Sequence, residues 1–187
     1  MSTYYLPFRG EIVDLAARGR RLFLAVRHPE GQPLGAWQID LEELLVMGSQ
    51  FDALTPVGID ADIRCVAAAD NAVYYGAADG GIYRNEARIA SLSGEVSGLE
   101  LLSGSRLLAQ VGQQALIVTA DGSTAQTFSY DATITAIAVE DGGERFAVGL
   151  EDGSIRLNFS RGDGFEEGYL LDAVSYTHLR AHETVRN

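Results

Sequence analysis

Ile134-Thr135-Ala136-Ile137-Ala138, then Phe146-Ala147-Val148-Gly149, then Gly153-Ser154-Ile155-Arg156-Leu157: this stretch decides how the chain is built. Its apolar residues fall into three short runs rich in Ile, Val and Phe, separated by Gly and Asp. Such runs read as strands, because β-branched and aromatic side chains fit a pleated surface and glycine accepts the positive φ of tight turns. The first run opens with two apolar residues three apart, Ile134 and Ile137, which this reading turns into the interface between sheets. Asp152-Gly153 is then the hairpin joining the second and third strands.

The same layout recurs upstream, and internal repetition of this kind governs the whole fold. Earlier repeats open at Ile12 and Leu15, Ile63 and Val66, and Val96 and Leu99. Second runs follow at Leu22–Val26, Val73–Ala77, Leu107–Val111 and Phe146–Leu150, and third runs at Ala36–Ile39, Ile82–Tyr83, Ala115–Val118 and Ile155–Leu157. Asp79-Gly80, Asp121-Gly122 and Asp141-Gly142 lie at or near further turns. A fourth, outer strand is expected at Leu44–Met47, Arg88–Leu92, Gln126–Tyr130 and Gly168–Leu171. For the first repeat there is an alternative, a short helix over Leu41–Met47 capped by Asp40 with Glu43. Periodicity alone does not separate the two.

Four strands per roughly 40–45 residues is the blade pattern of WD-repeat propellers, and residues 10–172 resemble that class. The stretch from Ile134 to Leu157 resembles a WD repeat most, and Ile63 to Arg84 less so. Two departures mark the resemblance as diverged. Leu157-Asn158 stands where Trp-Asp would close the third strand, and no Gly-His pair precedes the blade. The resemblance implies an all-β fold of four-stranded antiparallel blades, about four of them visible, in an incomplete ring. It also implies a non-catalytic protein-interaction scaffold or adaptor that uses loop and edge surfaces. The competing class is an enzymatic propeller, quinoprotein-like or lactonase-like, with acids or histidines at the channel mouth and calcium or a quinone. Fold alone does not choose between them.

Composition narrows the classes further. The 187 residues are 47% hydrophobic and 21% charged, globular rather than disordered usage. All 14 basic residues are arginine, so lysine Schiff-base chemistry and a P-loop lysine are excluded. The net charge of −12 opposes a nucleic-acid backbone as the main ligand. No apolar run is long enough for a membrane helix and no secretory signal is expected. The single Cys65 suits a reducing compartment, which makes the expected location cytoplasmic. An arginine-only, alanine-rich and glycine-rich chain has a bacterial look, and would suit an adaptor beside a protein partner such as an ATPase.

The segment Val174–Thr184 breaks with this pattern and holds two of the three histidines. It resembles one reading frame of a transposon-end adapter used in sequencing libraries. On that reading 1–173 is the partial propeller domain, 174–187 is a non-native tail, and the gene product continues beyond it. The tail carries Arg180, Arg186 and Glu183, so without it the charge is one unit more negative.

Candidate chemistry is sparse, and the sequence points to no catalytic, metal or cofactor site. His28 has the pKa of a general base but no nucleophile beside it. Cys65 reads as a core-filling thiol. Asp60, Asp62 and Asp70 offer oxygen ligands for calcium, yet rim acids are the ordinary explanation. Asp79-Gly80-Gly81 precedes a strand rather than a helix, which makes it a turn. Arg18-Gly19-Arg20-Arg21 lacks the interleaved aromatics of a nucleic-acid patch and reads as a solvated hairpin loop. Arg161-Gly162-Asp163 spells an integrin-type tripeptide and reads as a turn. Trp37 and the pair Tyr74-Tyr75 could form a binding hot spot, but alternation turns at least one tyrosine inward.

Overall fold

In the computed structural model, described over residues 10–27, 33–43 and 54–171, the chain forms four separate antiparallel sheets of four strands. The first blade is β1 (Glu11–Arg18), β2 (Arg21–Arg27), β3 (Pro33–Asp40) and β4 (Leu54–Pro56). The second is β5 (Ile63–Ala68), β6 (Val73–Ala77), β7 (Gly81–Arg84) and β8 (Ala87–Ser91). The third is β9 (Gly98–Leu102), β10 (Arg106–Val111), β11 (Gln114–Val118) and β12 (Thr124–Ser129). The fourth is β13 (Ile134–Val139), β14 (Arg145–Leu150), β15 (Ile155–Arg161) and β16 (Gly164–Leu171). Each sheet is a meander in chain order, and the first strands β1, β5, β9 and β13 lie side by side at the inner edge.

The recurring pair of apolar residues three apart has a physical origin. In a regular pleat such residues would face opposite sides. Between Ile12 and Asp14, Ile63 and Cys65, and Ile134 and Ala136 the register shifts, so one extra residue enters the inner strand. The bulge returns the opener and the residue three later to one face. In the third blade Val96 sits just ahead of β9, and its N–H donates to the Ala77 carbonyl of the second blade (3.1 Å).

Three apolar cores fill the joints between successive blades. Phe23, Ala25 and Ala36 meet Ile59, Ile63, Val66 and Tyr75 in the first joint. Cys65, Ala67, Tyr74 and Ile82 meet Val96, Leu99 and Leu107 in the second. Leu108, Ala115, Ile117 and Tyr130 meet Ile134, Phe146, Val148 and Phe165 in the third. Ile134 is buried as expected, and Ile137 is half-buried against the same core. Both Tyr74 and Tyr75 are buried, because a blade in mid-arc is covered on both faces. Tyr74 packs toward the third blade and Tyr75 toward the first.

A polar contact crosses each joint. The Val66 N–H donates to Asp14 Oδ2 (2.8 Å), the Cys65 thiol to the Val96 carbonyl (3.3 Å), and Gln110 Nε2 to the Ile134 carbonyl (2.8 Å). Farther out, the Gln126 amide pairs with the Phe165 backbone, donating to its carbonyl (2.7 Å) and accepting its N–H (3.0 Å). Each such bond between buried or half-buried groups contributes about 1 kcal/mol and fixes how one blade sits on the next.

The Asp-Gly pairs are turns, though not all at one place in the blade. Asp152-Gly153 joins β14 to β15 with φ +84° at Gly153, as expected. Asp152 Oδ1 accepts both the N–H (2.8 Å) and the hydroxyl (2.7 Å) of Ser154. Asp79-Gly80 occupies the equivalent hairpin of the second blade, whereas Asp121-Gly122 joins β11 to β12 and Asp141-Gly142 joins β13 to β14. Leu54–Pro56 is the fourth strand of the first blade, and the outer strand expected at Leu44–Met47 falls on residues that are not described. Residues 41–43 are helical, with Asp40 Oδ1 accepting the N–H groups of Glu42 (2.9 Å) and Glu43 (3.3 Å). That side chain caps the helical turn, satisfying N–H groups that have no partner within it. Residues 44–47 lie outside the described residues.

Candidate functional site: the open face of the fourth blade

Each blade has a forward face toward the next blade and a backward face toward the one before. The bulge brings the blades into register, so equivalent positions can be compared. The forward faces carry Asp14, Ala16, Phe23 and Ala25 in the first blade and Cys65, Ala67, Tyr74 and Gly76 in the second. In the third they are Gly98, Glu100, Leu108 and Gln110, and in the fourth Ala136, Ala138, Ala147 and Gly149. Backward faces carry larger side chains, such as Ile63, Val66 and Tyr75, or Ile134, Ile137 and Val148. Small residues on one side therefore receive branched ones from the other.

In the second blade this forward set is buried: Cys65, Ala67, Tyr74 and Gly76 are all covered by the third blade. In the fourth blade Ala136 and Ala138 are exposed, and Ala147 and Gly149 are half-buried. The outer strands extend the same surface. Leu157 and Phe159 of β15 share a face with Ala147, and Tyr169 of β16 lies opposite Leu157. Tyr169 is 65% exposed, and Ile155 and Leu171 on the same face are exposed large apolar residues. Phe159 and Tyr169 meet edge to face at 5.7 Å. Between them and the inner strand lies a hollow of about 400 Å³ lined by Ala138, Ala147, Leu157 and Phe159. At its rim Arg145 pairs with Glu140 (2.8 Å). An apolar floor with a charged rim is the layout of a protein-contact surface.

The backward face of the first blade is exposed at its inner strand. Ile12 (41%) and Leu15 (57%) are exposed, although Ile63 and Val66, their equivalents in the second blade, are buried. Farther out on that face Leu24, Val26 and Ile39 are buried, with Leu22, Trp37 and Leu41 packed against them. Trp37 is thus part of a core cluster rather than an isolated anchor. No strand of the first blade pairs with the fourth among the described residues.

A second hollow, of about 270 Å³, crosses three inner strands. It is lined by Asp14, Leu15 and Ala16 of β1, Val66 to Ala68 of β5, and Leu99 to Leu101 of β9. Burial and then the Asp14 carboxylate raise the Glu100 pKa above its ordinary value.

The residues singled out in the sequence do not converge on one site. His28 lies outside the described residues. Cys65 is buried, and burial pushes its thiol far up, which leaves it an inert core group. Asp62 pairs with Arg64 (2.7 Å) and Asp70 with Arg18 across the first joint, while Asp60 is exposed. Among the described residues no three acids, histidines or cysteines gather as a metal site. Asp79-Gly80-Gly81 is a turn in which Asp79 Oδ1 accepts the Gly81 N–H (2.9 Å). Arg18 to Arg21 form the β1–β2 hairpin, with Arg18 held by Asp70, Arg20 by Glu42 and Arg21 by Asp40. Arg161-Gly162-Asp163 turns between β15 and β16, with Arg161 paired to Glu166 (2.7 Å). Leu157-Asn158 places Leu157 on the open face and buries Asn158 fully on the other.

The open face was missed as a site because each of its residues looks like ordinary strand alternation.

No protein-family model matches the chain, and no curated protein matches it. Solved structures do. The structure titled "Crystal Structure of Mitotic Checkpoint Complex" superposes with a TM-score of 0.62 at 13% identity, covering 85% of this chain and 51% of that one. "Crystal structure of RRP9 WD40 repeats" superposes with a TM-score of 0.52 at 16% identity, covering 61% of this chain and 39% of that one. The chain thus spans about half the length of the first and less of the second. The fold is that of WD-repeat-like β-propeller blades.

Proposed function

We propose that this chain is a non-catalytic protein-interaction scaffold whose main contact surface is the open forward face of the fourth blade. One observation carries the reading. The inner-strand positions that are buried or half-buried at every internal joint are exposed there at Ala136 and Ala138, beside the exposed Tyr169 and the hollow under Leu157 and Phe159. Burying such a surface is worth about 25 cal/mol per Å² of apolar area, so a partner that covers it gains substantially. Aromatic residues at the edge of an apolar hollow are the usual anchors of protein interfaces. The likeness to a solved structure of WD40 repeats, and to one that is a complex by its title, supports the same class of role.

A photoreactive amino acid placed at Tyr169 tests this, with one at the exposed Asp131 as the control site. Protein adducts should form at Tyr169, and Leu157→Arg should abolish them by putting a charge in the hollow. Equal labelling at both positions, or labelling that ignores Leu157→Arg, would sink the reading.

A further inference from the structure

We infer that Asp141-Gly142, in the turn between β13 and β14, is a site of spontaneous backbone modification, where aspartate converts to isoaspartate through a succinimide. The inference stands apart from the scaffold reading. It comes from comparing five Asp-Gly pairs held in one fold. In three of them both reacting groups are engaged. Asp79 Oδ1 accepts the Gly81 N–H (2.9 Å) and Oδ2 pairs with Arg88 (3.1 Å), while the Gly80 N–H donates to the Ala77 carbonyl (3.1 Å). Asp121 Oδ1 accepts the Thr119 hydroxyl and the Ser123 N–H (3.0 Å), and the Gly122 N–H donates to the Thr119 carbonyl (2.9 Å). Asp152 Oδ1 holds Ser154, and the Gly153 N–H donates to the Leu150 carbonyl (3.0 Å). The fourth pair, Asp163-Gly164, has its glycine fixed in the ladder opposite Arg161. Asp141-Gly142 differs at both groups. Among the described residues its carboxylate has no hydrogen bond or ion pair, and the Gly142 N–H has no acceptor. Both residues are exposed, and a Cβ added at Gly142 would meet nothing within 4 Å.

That freedom is what the reaction needs. Glycine puts no side chain in the path of the carboxyl group, and an N–H without an acceptor loses no hydrogen bond when its nitrogen reacts. The Gly142 nitrogen bonds to Asp141 Cγ, and the amide proton leaves as water with one carboxyl oxygen and a proton from solvent. Water then adds across one of the two imide C–N bonds. Cleavage at Cγ restores aspartate. Cleavage at the former backbone carbonyl leaves the chain running through Cγ, with that carbonyl now a free carboxylate. The product has one more backbone carbon in a turn with little slack. The Gly143 carbonyl accepts the Ser103 N–H across the third joint (3.1 Å), and a Cβ added at Gly143 would lie 2.2 Å from the Ser103 nitrogen. Lengthening the turn displaces Gly143 from Ser103 and loosens the Glu140–Arg145 pair beside it. The chain therefore ages first where the third blade meets the fourth.

Purified full chain, held for weeks at neutral pH and then mapped by tryptic digestion with electron-transfer fragmentation, tests this, because that fragmentation tells isoaspartate from aspartate at equal mass. In the folded chain isoaspartate at position 141 should exceed that at each of the other four pairs several-fold. In urea the five should convert alike, since the protecting hydrogen bonds are gone. Asp141→Glu, which would have to close a larger and slower ring, should remove the main product, and it should prevent the fall in melting temperature that ageing brings to the unaltered chain. Equal conversion at all five pairs in the folded chain overturns the inference, as does a faster site at Asp163 or a preference for 141 that persists in urea. An equal loss of melting temperature in the aged Asp141→Glu chain overturns the link to the third joint.

Discussion

The joint between the second and third blades and the free face of the fourth are built from equivalent positions with opposite environments. Cys65, Ala67 and Gly76 lie under Val96 and Leu99, while Ala136, Ala138 and Gly149 lie under nothing the described residues supply. Strand length, alternation and bulge are shared. Burial in this fold is therefore a property of a pair of blades, and a strand pattern alone does not reveal which faces are spoken for. The same lesson holds at the other end, where Ile12 is exposed and Ile63 is not.

The hardest test of that comparison sets Ile63→Asp against Ile12→Asp. Ile63 is fully buried in the first joint, and a carboxylate there would be desolvated without a partner. The cost should be about 3 kcal/mol or more, read as a fall in the urea midpoint of unfolding or as failure to fold. Ile12→Asp should cost about 0.5 kcal/mol or less in the dilute single chain. Equal effects would mean that the backward face of the first blade is already closed, and the comparison would collapse.

A gentler pair sharpens it. Gly76→Ala forces a methyl into Cys65 and Val96, and overpacking of this kind costs about 1–3 kcal/mol. Gly149→Ala meets only ordinary contacts. It should be neutral or stabilising by a few tenths of a kcal/mol, since alanine loses less backbone freedom on folding. Thermal melts of the two variants side by side decide it. A destabilising Gly149→Ala would place an unseen neighbour over that seat.

Much of the architecture was legible because glycine, aspartate and β-branched residues carry local rules. The second strand of the second blade begins and ends where Val73 and Ala77 put it, and Gly153 takes the positive φ its hairpin demands. What was not legible depends on partners far away in sequence. Leu54–Pro56 is too short and too proline-bound to announce itself, so the more apolar Leu44–Met47 drew the reading instead. The two-sided burial of Tyr74 and Tyr75 follows only from a blade having neighbours on both faces. The open face had no local mark at all, for its residues are those of any covered blade.

Glu100 offers the smallest effect and the finest probe of the comparison. It occupies the forward-face position held by Ala16, Ala67 and Ala138 in the other blades, so one blade in four carries a carboxyl where alanine is the rule. Burial and then Asp14 raise its pKa, so the folded chain holds the proton to higher pH than the unfolded chain does. At low pH both states bind it and Glu100 costs nothing. As pH rises past the ordinary glutamate range the unfolded state ionises first, and the folded state loses relative stability until Glu100 itself ionises. Above that point the penalty is constant. Glu100→Gln keeps the shape and removes the charge, so it should raise the melting temperature slightly at neutral pH. The gain should shrink to nothing as the solution is acidified below the ordinary glutamate range. A gain that persists in acid would trace to packing, and a loss at neutral pH would mean that the ionised carboxylate has a favourable partner across the inner hollow.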